Sequence, residues 1–280
     1  VAYGFSRWKK RFLPQYLHFP NLSLHFKSLN KPNRDQQVIA WGKKARQLKD
    51  DGFQNVTTVE DGFIRSSGLG ANLIRPYSLV FDDVGIYYDA TQPSRLERIL
   101  NQIHLNQHQV ERSEKLIRQL IQLEISKYNI GERKKLIRPQ HDWVILVTGQ
   151  VEDDESIRLG SLDIKTNLDL LKHVRGTNPH AYIIYKPHPD VHAGLRLGKI
   201  QDQDLKQYAD AVELDASIVE CFEIIDELHT ITSLSGFEAL LRGKTVYCYG
   251  VPFYAGWGLT IDVEANTRRT KKLTLSELVY

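Results

Sequence analysis

Between Trp143 and Tyr249, apolar runs of strand length alternate with helical stretches, and this alternation restricts the possible fold more than any other feature of the chain. Strands read at Trp143–Thr148, Ala181–Tyr185, Ala211–Leu214, Leu228–Thr232 and Thr245–Tyr249, with helices over Asn167–Val174, Ile218–Ile225 and Phe237–Leu241. Strands joined through helices are not hairpin neighbours, so the pattern predicts a mostly parallel, doubly wound sheet. The first half holds one clear β-α-β unit. Val38–Gly42 reads as a strand, Lys43–Asp50 as a charged helix stopped at Gly52, and Val56–Val59 as the next strand. A further apolar run, Tyr77–Phe81, is followed by Asp82-Asp83-Val84-Gly85 and a strand-like stretch, Ile86–Tyr88; together these resemble a hairpin or short sheet extension. From Ser94 to Lys127 the spacing of Leu96, Leu100, Ile103, Leu116, Ile117, Leu120 and Ile121 fits one or two long amphipathic helices, and Arg133-Lys134-Lys135 with Pro139 marks a linker. The chain is predicted to be α/β, with Rossmann-like domains over 1–135, including the connecting helices, and over 136–280.

Bulk composition narrows the class. With 280 residues and 41% hydrophobic content the chain can bury a sizeable core. Its 37 basic and 34 acidic side chains leave +3, too weak for bulk nucleic-acid binding but compatible with an anionic substrate or a membrane surface. Cys221 and Cys248 both lie inside apolar stretches and read as buried thiols of a reducing compartment, so a cytoplasmic enzyme is expected. No run approaches the roughly 18 apolar residues of a membrane span, so any membrane association is expected to be peripheral. The chain has no methionine and stops at Leu273–Tyr280, which reads as the opening of a helix; the expected context is an excerpt of a longer protein.

In open α/β sheets, ligands bind beyond the carboxyl ends of the strands. Four polar clusters occupy such ends: Glu60-Asp61-Gly62, Gln150-Val151-Glu152-Asp153-Asp154, Lys186-Pro187-His188-Pro189 and Thr232-Ser233-Leu234-Ser235-Gly236. Two domains with facing strand ends would gather all four around one cleft. Each also has a plainer reading. Glu60-Asp61-Gly62 is a possible turn, and Glu152 to Glu155 a solvated loop, a helix start or a divalent-metal site. Ser233 and Ser235 read equally as caps of the following helix. The prolines flanking His188 stiffen its loop and fix where the imidazole points. A hydroxyl-rich turn running into a helix offers N–H groups and a positive dipole end to a phosphate, with Lys186 and His188 adding charge and donors. The basic groups Arg7-Trp8-Lys9-Lys10-Arg11 and Arg268-Arg269-Thr270-Lys271-Lys272 read as solvated faces or as contacts to anionic lipid.

Six segments in one order carry a specific resemblance. They are Glu60–Ser66, Asp82–Ala90, Gln150–Ser156, Lys186–Asp190, Ser235–Leu241 and Pro252–Leu259, spanning nearly the whole chain. Together they resemble the KpsC family of capsule-polysaccharide transferases. That resemblance implies a GT-B-like fold of two Rossmann-type domains with facing strand carboxyl ends, the first on the acceptor side and the second binding a CMP-sugar. It implies a retaining β-Kdo glycosyltransferase that takes Kdo from CMP-β-Kdo and extends the poly-Kdo linker on a lyso-phosphatidylglycerol anchor, at the cytoplasmic face of the inner membrane. Family members carry two transferase modules in one polypeptide, and Gly4–Lys9 is similar to the start of the second.

Retention at a 2-keto sugar can proceed by double displacement, which needs a carboxylate nucleophile and a general acid/base. By its place in the Gln-x-x-x-Asp-x-Ser pattern, Asp154 matches the family position for the nucleophile; Glu60 is the candidate acid/base. Lys186, His188, Ser233, Ser235 and Gly236 are expected to hold the CMP phosphate, Glu238 the ribose, and Arg65 or Arg158 the Kdo carboxylate. Arg158 is also the candidate cation for keeping Asp154 ionised, and Asp61, Gln150 and Ser156 are further substrate-binding candidates. A single donor phosphate can be held by protein groups, so no obligatory metal or other cofactor is expected. The sequence leaves open a CMP-sialic acid transferase, a non-catalytic capsule-sugar-binding module, and a GT-B-like sugar-nucleotide epimerase.

Overall fold

The computed structural model describes residues 1–17, 23–27, 30–68 and 73–280. Among these, the first sheet has five strands: β1 (Ala2–Tyr3), β2 (Phe26–Lys27), β3 (Val38–Trp41), β4 (Val56–Asp61) and β5 (Leu79–Asp82), in the order β2-β1-β3-β4-β5. All pairs are parallel except β4 with β5. Val38 and Ala40 are buried while Ile39 and Trp41 are half-buried, the alternation a strand covered mainly on one face requires. Helix α1 (Arg7–Phe12) follows β1, capped by the Ser6 hydroxyl, which accepts the Lys9 N–H. Helix α2 (Gly42–Asp50) follows β3 and buries Ala45 and Leu48, three residues apart, against that sheet. It ends at Gly52, whose φ of +86° takes the chain out of the helix.

Two helices, α3 (Arg95–Gln102) and α4 (Gln107–Gln122), connect the sheets; α4 starts on a capping box between Asn106 and Gln109. The sequence grouped them with the first domain. Their packing groups them with the second sheet instead, because Leu100 is buried in one core with Val144, Leu146, Leu228 and Trp257.

The second sheet comprises β6 (Val144–Thr148), β7 (Tyr182–Lys186), β8 (Ala211–Val212), β9 (Glu227–Thr230), β10 (Thr245–Cys248) and β11 (Ile261–Asp262). These are all parallel, in the order β11-β10-β9-β6-β7-β8. Every residue of β6 is buried, as expected for a central strand covered on both faces, and each such aliphatic side chain contributes roughly 1.5–3 kcal/mol. Seven helices belong to this half: α5 (Glu155–Gly160), α6 (Asn167–Thr177), α7 (Pro189–His192), α8 (Asp202–Tyr208), α9 (Ile218–Ile224), α10 (Leu234–Leu241) and α11 (Leu275–Val279). Cys221 and Cys248 are free thiols buried in its core. Among the described residues no helix is long and apolar enough to cross a membrane.

Two expectations change. Ile86–Tyr88 is not a strand. The Asp82 carboxylate accepts the N–H groups of Val84, Gly85 and Arg95, which bends the chain out of β5 into a turn carrying Tyr87 and Tyr88. The basic group near the end of the chain is largely internal, which removes most of it from the expected lipid contact. Buried Arg269 donates to the Pro252 and Ala255 carbonyls and pairs with Glu97, Arg268 pairs with the same glutamate, and Lys271 pairs with Glu277.

Candidate active site

Both sheets turn their strand carboxyl ends to one cavity of about 820 Å³. In the second sheet the strand order reverses between β6 and β9, so a crevice opens beyond Thr148 and Thr230. Gln150 spans that crevice. Its carbonyl accepts the Thr232 N–H at 2.7 Å and its amide donates to the Thr232 hydroxyl at 3.0 Å. A buried amide committed this way positions two strand ends, so Gln150 acts on the site by holding its frame.

The turn after β9 is organised by hydroxyls. Ser233 caps α10, and the Ser235 hydroxyl bonds to both Ser233, at 2.9 Å, and Thr148, at 3.1 Å. Gly236 lies behind this turn and not on the cavity wall; a Cβ there would stand 2.2 Å from the Tyr254 hydroxyl, which donates to the Ser233 carbonyl. The glycine lets the Pro252–Leu259 segment press close under the turn, and Tyr254 and Trp257 of that segment are fully buried.

Lys186 ends β7, lines the cavity, and donates to the Ala216 carbonyl at 2.6 Å. His188 caps the short helix α7, with Nδ1 accepting the Asp190 N–H at 3.1 Å, so the ring proton sits on Nε2. Burial first, then the Lys127 charge, pushes the His188 pKa down to about 4. The imidazole is therefore neutral near pH 7 and supplies a donor without the charge the sequence suggested. Glu238 also faces the cavity, with one carboxylate oxygen accepting the Lys127 N–H at 2.5 Å; burial pushes its pKa up to about 7.

The acidic segment after β6 disperses. Glu152 accepts the Asn167 N–H at 2.7 Å, Asp153 pairs with Arg196 at 2.9 Å, and Glu155 pairs with Arg158. With each acid drawn to a different partner the segment is no divalent-metal cluster, and among the described residues no group of three or more His, Cys, Asp or Glu is placed to hold a metal. Asp154 remains on the cavity wall, capping α5 through the Ser156 N–H at 2.9 Å. Arg158, on that same helix, is tied to Glu155 and lies outside the cavity lining, so it does not serve as the cation beside Asp154. Lys127 lines the cavity as well. Burial works to lower its pKa, while Tyr128, Tyr87 and the Asp154 carboxylate raise it, and the net shift is upward.

From the first sheet, β4 delivers Glu60 and Asp61. Asp61 pairs with buried Arg65 at 2.7 Å, and Arg65 also donates to the Ser66 hydroxyl. Glu60 accepts the Tyr88 hydroxyl at 3.1 Å and lies so close to Gly42 that a Cβ there would stand 2.1 Å from its carboxylate oxygen. Burial, then the Asp61 charge, raises the Glu60 pKa to about 7, against the opposing pull of Lys9 and the Tyr88 hydrogen bond.

Of the residues singled out in the sequence, Glu60, Asp61, Arg65, Gln150, Asp154, Ser156, Lys186, His188, Ser233, Ser235 and Glu238 line this one cavity, whereas Gly236 and Arg158 do not. The reading missed Lys127, Lys9, Trp41, Tyr87 and Tyr88. Lys127 follows a long helix rather than a strand, so the strand-end rule passed over it. Lys9 sits in a basic group that reads in sequence as a solvated face or a contact to anionic lipid.

Two sheets with facing carboxyl ends and a shared cavity between them define a GT-B-like protein. A family described as "Capsule polysaccharide biosynthesis protein" matches over residues 36–129 and 104–280, and the chain belongs to it. The capsule polysaccharide modification protein LipA of Neisseria meningitidis serogroup B is 47% identical over 285 residues, covering 99% of this chain and 40% of LipA. The lipopolysaccharide-processing protein LpsZ of Rhizobium meliloti is 42% identical over 251 residues, covering 87% of this chain and 57% of LpsZ. The chain thus spans about half the length of these relatives or less. Among solved structures, the β-Kdo 2,7 transferase of Thermosulfurimonas dismutans KpsC matches with a TM-score of 0.79 at 39% identity, and the β-Kdo 2,4 transferase of the same protein with 0.82 at 32%. Each match covers 99% of this chain and 88% of the other. The resemblance to the KpsC family thus holds in sequence and in fold.

Proposed function

We propose that the chain is a retaining β-Kdo transferase acting by double displacement on CMP-β-Kdo, with the growing Kdo linker of a capsule glycolipid as acceptor. The observation that carries this reading is that Asp154 and Glu60, from different sheets, line one cavity together with the hydroxyl-rich turn at Ser233. Asp154 attacks C2 of Kdo and the C2–O bond to phosphate breaks, with CMP taking the electron pair. Lys186, the His188 Nε2–H and the hydroxyl turn at Ser233 hold the phosphate as its charge develops. Glu60 then removes the acceptor hydroxyl proton as that oxygen displaces Asp154 from C2. Neighbours whose names specify Kdo transfer support the sugar. No metal is required in this scheme, since protein donors surround the single phosphate. The working location is the cytoplasmic face of the membrane bearing the lipid acceptor, with a second transferase module in the full-length protein.

Measuring CMP release from CMP-Kdo and from CMP-sialic acid, each with and without a Kdo-terminated acceptor, tests this. Release from CMP-Kdo that rises with acceptor is expected. Preference for CMP-sialic acid would move the chain to another transferase class, and release indifferent to acceptor would leave an epimerase-like or hydrolytic activity. Within the same assay Lys186→Ala and His188→Ala should each weaken CMP binding by about tenfold or more, the size of one charge-assisted or buried hydrogen bond. Unchanged CMP affinity in both variants would remove them from the phosphate site.

A further inference from the structure

The basic group near the end of the chain contains an arginine whose partners reach back to the first half of the molecule. Arg268 pairs with buried Glu97 through Nε at 2.8 Å. Its Nη2 also donates to the Ala90 carbonyl at 2.8 Å and to the Gln92 carbonyl at 3.3 Å. Those carbonyls belong to the turn after β5, on which the Tyr88 hydroxyl donates to the Glu60 carboxylate at 3.1 Å. A guanidinium presents its donors in a rigid fork, so an arginine anchored on a carboxylate sets where both carbonyls lie.

The turn is tied at further points. Asp89, buried at its centre, accepts the Thr91 N–H at 3.0 Å and the Gln92 amide at 2.8 Å, and Arg46 of α2 pairs with the same carboxylate at 3.4 Å. The Ala90 N–H donates to the Leu159 carbonyl at 3.2 Å, and Leu159 is on α5, the helix that Asp154 caps. A Cβ on Gly160 of that helix would stand 3.5 Å from the Tyr88 carbonyl, so helix and turn are in direct contact. One short turn therefore touches Glu60 through Tyr88 and the helix of Asp154 through Ala90.

We propose that Arg268 is a positioning residue for the transfer reaction: by fixing the carbonyls of Ala90 and Gln92 it holds the turn that sets Glu60 relative to Asp154. This rests on the transferase reading above. The groups acting on the Glu60 charge are Asp61 of β4, Lys9 of α1, the Tyr88 hydroxyl and Asp154. Arg268 is not one of them, so its effect on Glu60 passes through the turn. Removing its guanidinium leaves Glu97 with Arg269 and Asn266, and leaves the carbonyls of two residues that are not buried, where water can replace it. The fold is therefore expected to persist.

The test measures Kdo transfer from CMP-Kdo to a Kdo-terminated acceptor against pH. Arg268→Met should lower kcat about tenfold or more with the KM for CMP-Kdo unchanged, because a displaced catalytic group is felt in the chemical step. Tyr88→Phe should move the climb with pH upward by about 0.5–1 pH unit, since phenylalanine keeps the cover over Glu60 and removes the donor that favours its charge. Arg268→Met should move it the same way by a smaller amount and should add nothing to the shift of Tyr88→Phe, while Arg268→Lys should restore most of the rate and the midpoint. A lower melting temperature with an unmoved midpoint would reduce Arg268 to a structural role, and an equal shift with and without the Tyr88 hydroxyl would mean that it acts elsewhere; either result overturns the proposal. Carboxyl NMR of protein carrying ¹³C-labelled glutamate follows the Glu60 titration without substrate, its signal assigned by its loss in Glu60→Gln. The same order of midpoints is expected, and a midpoint in Arg268→Met equal to that of wild type overturns the proposal. If the wild type transfers no Kdo, the transferase reading fails, and this titration decides by itself whether Arg268 positions Glu60.

Discussion

Asp154→Asn is expected to lower Kdo transfer about 10³-fold or more while leaving the fold and CMP binding unchanged, the scale on which removal of an essential nucleophile is felt. The fold should survive because asparagine is as good a helix cap as aspartate, and the amide oxygen can still accept the Ser156 N–H that Asp154 accepts at 2.9 Å. What is lost is the anionic oxygen that forms the bond to C2. Mixing wild type with CMP-Kdo in the absence of acceptor should leave one Kdo on the protein by intact mass, and peptide mapping should place it at Asp154. Near-normal transfer by the asparagine variant, or an adduct mapped to Glu60 or Asp61, would falsify the assignment.

Glu60→Gln should cost about 10²–10⁴-fold in transfer, the usual contribution of a positioned general base. The pH dependence carries the sharper signature. CMP departs without needing a proton, so Glu60 works as a base and must be ionised. With its pKa raised to about 7, wild-type transfer should climb as the pH rises through that value and then level off. The glutamine variant should keep its low rate without this climb. Stability moves in the opposite sense. The Glu60 carboxyl holds its proton more tightly in the fold than at its ordinary value of 4.5. Its contribution to stability is therefore complete below about pH 4.5 and is lost as the pH rises to about 7. Glu60→Gln has no such loss, so it should melt at a higher temperature than wild type at pH 8 and at nearly the same temperature at pH 4. Glu238, raised to about 7 by burial, titrates in the same direction, so the substitution at Glu60 should remove only part of the wild-type pH dependence. A variant that melts lower than wild type at pH 8 would mean that Glu60 is not held against its charge.

A carboxylate kept near its functional pKa by burial is a common trade of stability for activity. Here the burial has an identifiable source. Gly42 has no Cβ where the Glu60 carboxylate lies, and Tyr88, delivered by the turn after β5, closes over it with a hydrogen bond of 3.1 Å. Neither feature is chemical machinery in itself. Both decide what Glu60 can do.

Much of this protein was legible along the chain because the signals are local. The β-α-β alternation, the stop at Gly52 and the hydroxyl turn at Ser233 each depend on a few consecutive residues, and the strand-end rule then gathered Glu60, Asp154, Lys186 and His188 at one cavity without knowledge of how the sheets meet. Tertiary structure decided what depends on the partner a side chain finds. Arg158 and Arg269 are arginines of ordinary appearance in sequence, yet one is spent on Glu155 and the other on buried carbonyls and Glu97. Lys9 and Lys127 belong to unremarkable basic or helical stretches, yet the packing of α1 on the first sheet and of the segment after α4 beside Glu238 brings both to the cavity. The sequence by itself determined which backbone ends face the ligand, because periodicity and turn chemistry act within a few residues. Which charges stay free for the ligand was decided by the tertiary structure, because Coulomb and hydrogen-bond partners are chosen across the fold, where sequence distance says nothing about distance in space.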